Sequence, residues 1–209
     1  MSCNISGSLI SASLLAAALL GCQPGGVGDP CTPEDEYLAT FSGFQLEEVN
    51  VESRSFQCET RICLVNHFQG RVSCPYGTTS SEKNIGRTPV QTPPQCVIPG
   101  SDVKVTATVD PQLIARRAAD SVYCSCRCNG PDAGARYCEC PSGFTCSKLV
   151  DDYSADPNIG KGGQLAGSYC IRENTEYRVE VPKDTCAYKD ADGNSNCQAV
   201  DTETGEPTD

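Results

Sequence analysis

The sequence predicts a mainly β, small, disulfide-rich irregular fold with short strands and hairpins and one short helix near 111–119. Three observations point there. Sixteen of the 209 residues are cysteine, there is no tryptophan, and only 5 phenylalanines and 8 tyrosines are available to fill a core. A chain so short of bulky apolar side chains gains from covalent links that restrict its unfolded state, each worth about 2–4 kcal/mol. Its apolar residues fall in short alternating runs broken by Gly, Pro, Asn and Asp, not in long patterns of helical period.

The elements follow in order. Between Glu34 and Cys74, residues 56–58 and 62–66 read as short strands, with Cys58, Cys63 and Cys74 as points of attachment. Residues 86–94 carry Pro89, Pro93 and Pro94, read as a loop, and set a candidate lobe boundary at 86–95. Val103, Val105, Ala107 and Val109 alternate with Lys104, Thr106 and Thr108, the pattern of a strand with one covered face. Asp110 and Pro111 then suit the N-cap and first position of a helix of about two turns through 113–119. Strand signals return at 122–128, 136–140, 168–171 and 177–181. The acidic end, 198–209, has few apolar residues and is expected to be disordered.

The N-terminus carries the most specific motif. Leu9, Ile10, Leu14, Leu15, the alanines 16–18, Leu19 and Leu20 form an apolar segment of signal-peptide length, too short for a permanent membrane span. It closes on Leu19-Leu20-Gly21-Cys22, which resembles the lipobox of a bacterial lipoprotein precursor. That resemblance implies cleavage between Gly21 and Cys22, removal of 1–21, and acylation (palmitate among the chains) of the Cys22 thiol and its freed amine. Gln23 is similar to the residue in that position of outer-membrane cargo, which implies the outer membrane of a Gram-negative bacterium. The sequence departs from the family pattern in lacking Lys or Arg before the apolar run and in having Leu20 two before Cys22. An ordinary secretory signal cut nearby is the alternative. Residues 22–33, rich in Gly and Pro, read as a flexible tether between lipid and body.

Cysteine arithmetic agrees with export. With Cys3 in the removed segment and Cys22 acylated, 14 of the 16 cysteines remain, an even number that seven bridges would close. The candidates are Cys31, Cys58, Cys63, Cys74, Cys96, Cys124, Cys126, Cys128, Cys138, Cys140, Cys146, Cys170, Cys186 and Cys197. Such density requires an oxidising compartment. Cys186 and Cys197 enclose only ten residues and are expected to pair, because short loops cost the least closure entropy. The densest group is Cys124, Cys126 and Cys128, then Cys138, Cys140 and Cys146. On strands, period-two spacing would set the first three on one face, so pairing runs across a hairpin or to another segment. A zinc or iron–sulfur site is the alternative for this group, although Cys-x-x-Cys spacing is missing and the only histidine, His67, is distant in sequence.

Residues 138–146, Cys-Glu-Cys-Pro-Ser-Gly-Phe-Thr-Cys, resemble the C-terminal turn of an epidermal-growth-factor-like module, with Cys146 closer to the aromatic residue than in that family. The resemblance implies binding or adhesion rather than catalysis; a convergent disulfide turn is the other reading. Asp190, Asp192, Asn194, Asn196 and Asp201 fall at positions 1, 3, 5, 7 and 12 of an EF-hand-like calcium register. Ser195 stands where that loop needs Gly, and a polar turn between two cysteines explains the same residues.

Charge and motifs exclude several classes. All 27 acidic and 16 basic residues lie beyond Cys22, giving a net charge of −11, which disfavours nucleic acid as a partner. The acidic balance suits a solvated, aggregation-resistant surface, or divalent cations or basic partners. No nucleophile elbow, phosphate loop or His-Glu-x-x-His helix occurs; His67 beside Asn66 and the pair Asp151 and Asp152 are generic, so no catalytic residue and no cofactor is assigned. Three readings remain, in descending order. The first is a non-enzymatic lipid-anchored envelope protein that meets an envelope or extracellular protein through a binding or structural surface. The second is a released ligand, inhibitor or toxin-like protein. The third is an envelope enzyme or metal-dependent module.

Overall fold

The computed structural model describes residues 25–78, 96–152, 165–186 and 197, with the backbone of 199–200 and 207–208. The fold is mainly β and stitched by seven disulfides. Strand β1 is Val49–Glu52, β2 Ile62–Asn66, β3 Val122–Ser125, β4 Arg127–Asn129, β5 Phe144–Val150, β6 Gly167–Arg172, β7 Ala199–Val200 and β8 Pro207–Thr208; the single helical turn α1 is Ala118–Ser121. They form antiparallel sheets of order β1-β2-β3, β4-β6-β5 and β7-β8.

Strand β2 is the centre because its sequence, Ile-Cys-Leu-Val-Asn, has apolar residues for both faces. Cys63 and Val65 face one side with Val122 and Cys124, where Phe44, Phe68, Val72, Cys31 and Cys58 close the core. Leu64 and its cross-strand partner Tyr123 face the other, against Tyr169 and Ile171 of β6. The two large sheets therefore share one apolar layer. The chain passes from one sheet to the other within a single residue, Cys126, which separates β3 from β4.

The bridges are Cys31–Cys63, Cys58–Cys124, Cys74–Cys96, Cys126–Cys138, Cys128–Cys146, Cys140–Cys170 and Cys186–Cys197. All fourteen cysteines from Cys31 onward are used. Their Cα separations, 5.3 to 6.3 Å, are those of ordinary disulfides. Such extensive bridging belongs to an oxidising, exported environment. Among the described residues no helix is long and apolar enough to cross a membrane.

Several sequence expectations are corrected. Residues 103–109 keep their alternation only from Val105 onward: Val105 and Ala107 are half-buried, Val109 is buried, and Thr106 and Thr108 are exposed, but Val103 is exposed too, and the segment forms only an isolated bridge between Val97 and Lys104. Their backbone partners are scattered: Thr106 N–H donates to Ala39 O and Val109 O accepts from Thr78 N–H. The helix expected at 111–119 is confined to Ala118–Ser121 and starts from Arg117, not Asp110. Upstream, Ile114 N–H donates to Asp184 O and Cys186 N–H to Gln112 O, so the backbone groups a helix would use internally are engaged with the 184–186 segment.

Segments 56–58, 136–140 and 177–181 form no strand, whereas β1 and β5 arise where none was expected. The described part of the expected tether, 25–33, belongs to the body: Gly25 bridges Cys58, Pro30 bridges Tyr123, and Cys31 is bonded to Cys63. Of the tail 198–209, only the backbone of Ala199–Val200 and Pro207–Thr208 is described, and these pair antiparallel; the rest lies outside the described residues. The lobe boundary at 86–95 falls outside the described residues, which resume at Cys96.

Candidate functional site

Two places concentrate chemistry. The first is a sulfur layer built by β4, β5 and β6. Cys146 and Cys170 lie directly opposite each other across β5 and β6, but each is bonded elsewhere, to Cys128 and Cys140. Beside them, Cys126 Sγ is 3.5 Å and Cys138 Sγ 3.8 Å from Cys170 Sγ. The sulfurs of Cys126, Cys138 and Cys170 lie within 4.8 Å of one another, as do those of Cys128, Cys140 and Cys146, and those of Cys31, Cys58 and Cys124. These groupings have the atom types and closeness of thiolate metal sites. Every sulfur in them is bridged, however, and the ligand form of cysteine is the thiolate. The layer grades from exposed Cys146 and half-buried Cys128 to fully buried Cys170.

Sequence spacing misjudged how this layer is made. Cys124, Cys126 and Cys128 do not share one strand face, because the chain changes sheets at Cys126. Cys124 therefore serves the β1-β2-β3 core, while Cys126 and Cys128 bind the 136–146 segment.

The second place is an open groove of about 680 Å³ between α1 and residues 174–182, lined in part by Arg116, Asp120, Thr175, Glu176, Arg178 and Glu180. Arg116 is 3% exposed. Its Nε–H donates to His67 O at 3.1 Å, and its Nη1 and Nη2 groups donate to Thr175 O and Asn66 O. Burial lowers its affinity for the proton, and the neighbouring Tyr123, Asp120 and Tyr177 oppose that shift. Each of its three nitrogens donates to a backbone carbonyl, so Arg116 clamps the end of β2 and the 172–175 turn together.

His67 follows β2 with φ of 52°, has Nδ1 3.0 Å from Leu46 O, and stacks on Tyr177 at 4.0 Å between ring centroids. Burial pushes its pKa below 6.5, and the Arg116 charge adds to the effect. The groove's mixed charges and openness suit a polar surface better than an enclosed small-molecule site.

A buried ion pair escaped sequence reasoning altogether. Glu36, in the 3₁₀ turn Glu34–Tyr37, accepts from Val72 N–H at 2.5 Å and from Ser73 N–H and Oγ at 3.0 and 2.6 Å. Arg71 donates to Leu38 O and Phe41 O at 3.2 and 3.0 Å and to Glu36 O, with Nε 4.0 Å from the Glu36 carboxylate. Both side chains are fully enclosed. No sequence signal connects two charges 35 positions apart.

Of the other sequence-derived residues, Asp151 forms an exposed pair with Lys148 at 2.6 Å. Gly21 and Cys22 lie outside the described residues, as do Asp190, Asp192, Asn194, Asn196 and Asp201, although the bridge Cys186–Cys197 closes round the first four of these polar residues. The segment resembling an epidermal-growth-factor-like turn ends in β5, whose Phe144 packs edge-on against Tyr123 at 5.6 Å. No protein-family model, curated protein or solved structure matches the chain.

Proposed function

We propose that this chain is a non-enzymatic lipid-anchored protein of the bacterial cell envelope, held at the outer membrane by acylated Cys22 and presenting a disulfide-braced binding or structural surface to an envelope or extracellular protein. One observation carries the reading: the seven bridges consume every cysteine from Cys31 onward, so the only cysteines they leave over are Cys3, within the signal-like segment, and Cys22, at the end of the lipobox-like run. Removal of Cys3 with the segment 1–21 would leave Cys22 with no cysteine to pair with in the same chain, and its thiol would be available for acylation. Two further features support a scaffold over an enzyme. Arg116 ties backbone carbonyls together through each of its nitrogens, and the sulfurs of Cys126, Cys128, Cys138, Cys140, Cys146 and Cys170 are all in disulfides.

The test is the Cys22→Ser protein. Several acyl chains, at about 0.8 kcal/mol per buried methylene, make attachment stable, so the variant should move from the detergent phase to the aqueous phase with its seven bridges intact by mass. The N-terminal peptide of the unaltered protein should carry fatty-acyl mass on Cys22. Membrane retention of Cys22→Ser, or an unacylated N-terminus, would overturn the anchor.

A further inference from the structure

The place where the chain enters the body sets how that body meets the membrane. Gly25 is the third residue after Cys22 and is already fixed: its N–H donates to Gln57 O at 2.7 Å and its carbonyl accepts from Glu59 N–H at 2.9 Å. Three residues of fully extended chain reach only about 11 Å. An acyl group on Cys22 seated at the headgroup level therefore holds the 55–61 turn close to the bilayer.

That turn bears an unusual side chain. Phe56, the neighbour of Gln57, is 81% exposed, the largest exposure among the large apolar residues described. Arg61 covers one side of its ring, with the guanidinium carbon 4.4 Å from the centroid. The turn is rigid: Ser55 N–H donates to Arg61 O, Arg61 N–H donates to Cys58 O, and Cys58 is bonded to Cys124. Arg61 adopts φ of 65°, a conformation that costs energy for a residue with a Cβ and that here brings its side chain beside Phe56. An aromatic ring with a cation over its face matches the bilayer interface, where the ring lies among glycerol groups and the guanidinium reaches phosphate.

Resting on the lipid-anchor reading above, we infer that the Phe56–Arg61 turn is the membrane-contacting face of the protein and docks on a bilayer of zwitterionic headgroups beside acylated Cys22. Glu59 in the same turn and the net charge of −11 disfavour a strongly anionic surface. Docking through this turn leaves the far end of β2, where His67 stacks on Tyr177, pointing away from lipid.

The chain has no tryptophan, so a single introduced one reports position without interference. Phe56→Trp and Val179→Trp both fall at exposed sites, the second at 76% exposure beyond Tyr177. Each full-length mature protein is purified in acylated form and reconstituted in phosphatidylcholine vesicles whose acyl chains carry bromine near the carbonyl end. Emission of the Phe56→Trp protein should shift to the blue and be roughly halved by the brominated lipid, while that of the Val179→Trp protein stays unquenched, as expected for an interfacial and a water-facing ring. Equal quenching in both variants, or none in Phe56→Trp when that protein floats with vesicles and carries the acyl mass, would overturn the docking face alone. Absence of acyl mass and of flotation would overturn the anchor itself.

Discussion

Cys126 Sγ lies 3.5 Å from Cys170 Sγ, yet the two are not bonded to each other: Cys126 is joined to Cys138 and Cys170 to Cys140. Two disulfides at this separation are poised for exchange. If a dithiol reductant opens Cys126–Cys138, the Cys126 thiolate attacks Cys170 Sγ, a Cys126–Cys170 bond forms, and Cys140 leaves as thiolate. Limited reduction followed by alkylation and a non-reducing peptide map should show Cys126–Cys170 as the leading non-native bridge. Non-native bridges to Cys74 or Cys96 at equal frequency would refute the local exchange.

Arg71→Met is expected to destabilise the protein by about 3–5 kcal/mol, the usual effect of removing one partner of a buried ion pair. The Glu36 carboxylate would lose its cation, and the carbonyls of Leu38, Phe41 and Glu36 would lose their donor. Denaturant midpoints of the two proteins measure it. A change within the range of surface substitutions would show that the pair is solvated.

The single histidine gives a clean pH readout. His67 has its pKa lowered from 6.5 chiefly by burial, then by Arg116, against the opposing Leu46 carbonyl and Glu47; Tyr177 covers its ring. With the folded value below the unfolded one, the unfolded chain binds more protons between the two. The His67 contribution is therefore complete above about pH 6.5 and is lost as pH falls through the folded pKa. The imidazole proton resonance should titrate below 6.5 in the folded protein, and His67→Phe should flatten this part of the stability profile. A midpoint at or above the ordinary histidine value would contradict the burial.

Gly70→Ala should be strongly destabilising, by more than about 1 kcal/mol. Gly70 has φ of 91°, and a Cβ there would stand 2.4 Å from Asp110 O. The same residue forms the bridge to Phe44, so both strain and a core contact are at stake. Gly100→Ala is the control: its φ of 69° carries backbone strain, but nothing lies within 4 Å of the added atom. The difference between the two isolates the clash with Asp110.

What was legible in the sequence was local. Ile62–Asn66 stands out because a run of β-branched and apolar residues fits only a covered strand, and Cys186–Cys197 because it closes the shortest loop, with a separation of 11. Export and even cysteine pairing follow from counting. The remaining bridges, with separations from 12 to 66, were not legible, since which cysteines meet depends on how the two sheets pack. Strand β5 was hidden because Ser147 and Lys148 interrupt its apolar residues, and it is held by β6, which arrives only after the long 151–166 connection. The alternation at 103–109 misled for the opposite reason: it records which side chains point inward, and a ladder also requires a straight neighbour.

The sulfur layer also decides what a protease can achieve. Residues 131–134 form an exposed turn between Cys128 and Cys138 and offer the natural cutting site. A chain severed there would still be one particle, because Cys126–Cys138 and Cys128–Cys146 both cross the cut. The two pieces would migrate together until reduced, and the sheets on either side would keep their register. At a surface washed by hydrolytic enzymes, the covalent cross-ties turn backbone scission from a loss of the molecule into a local scar.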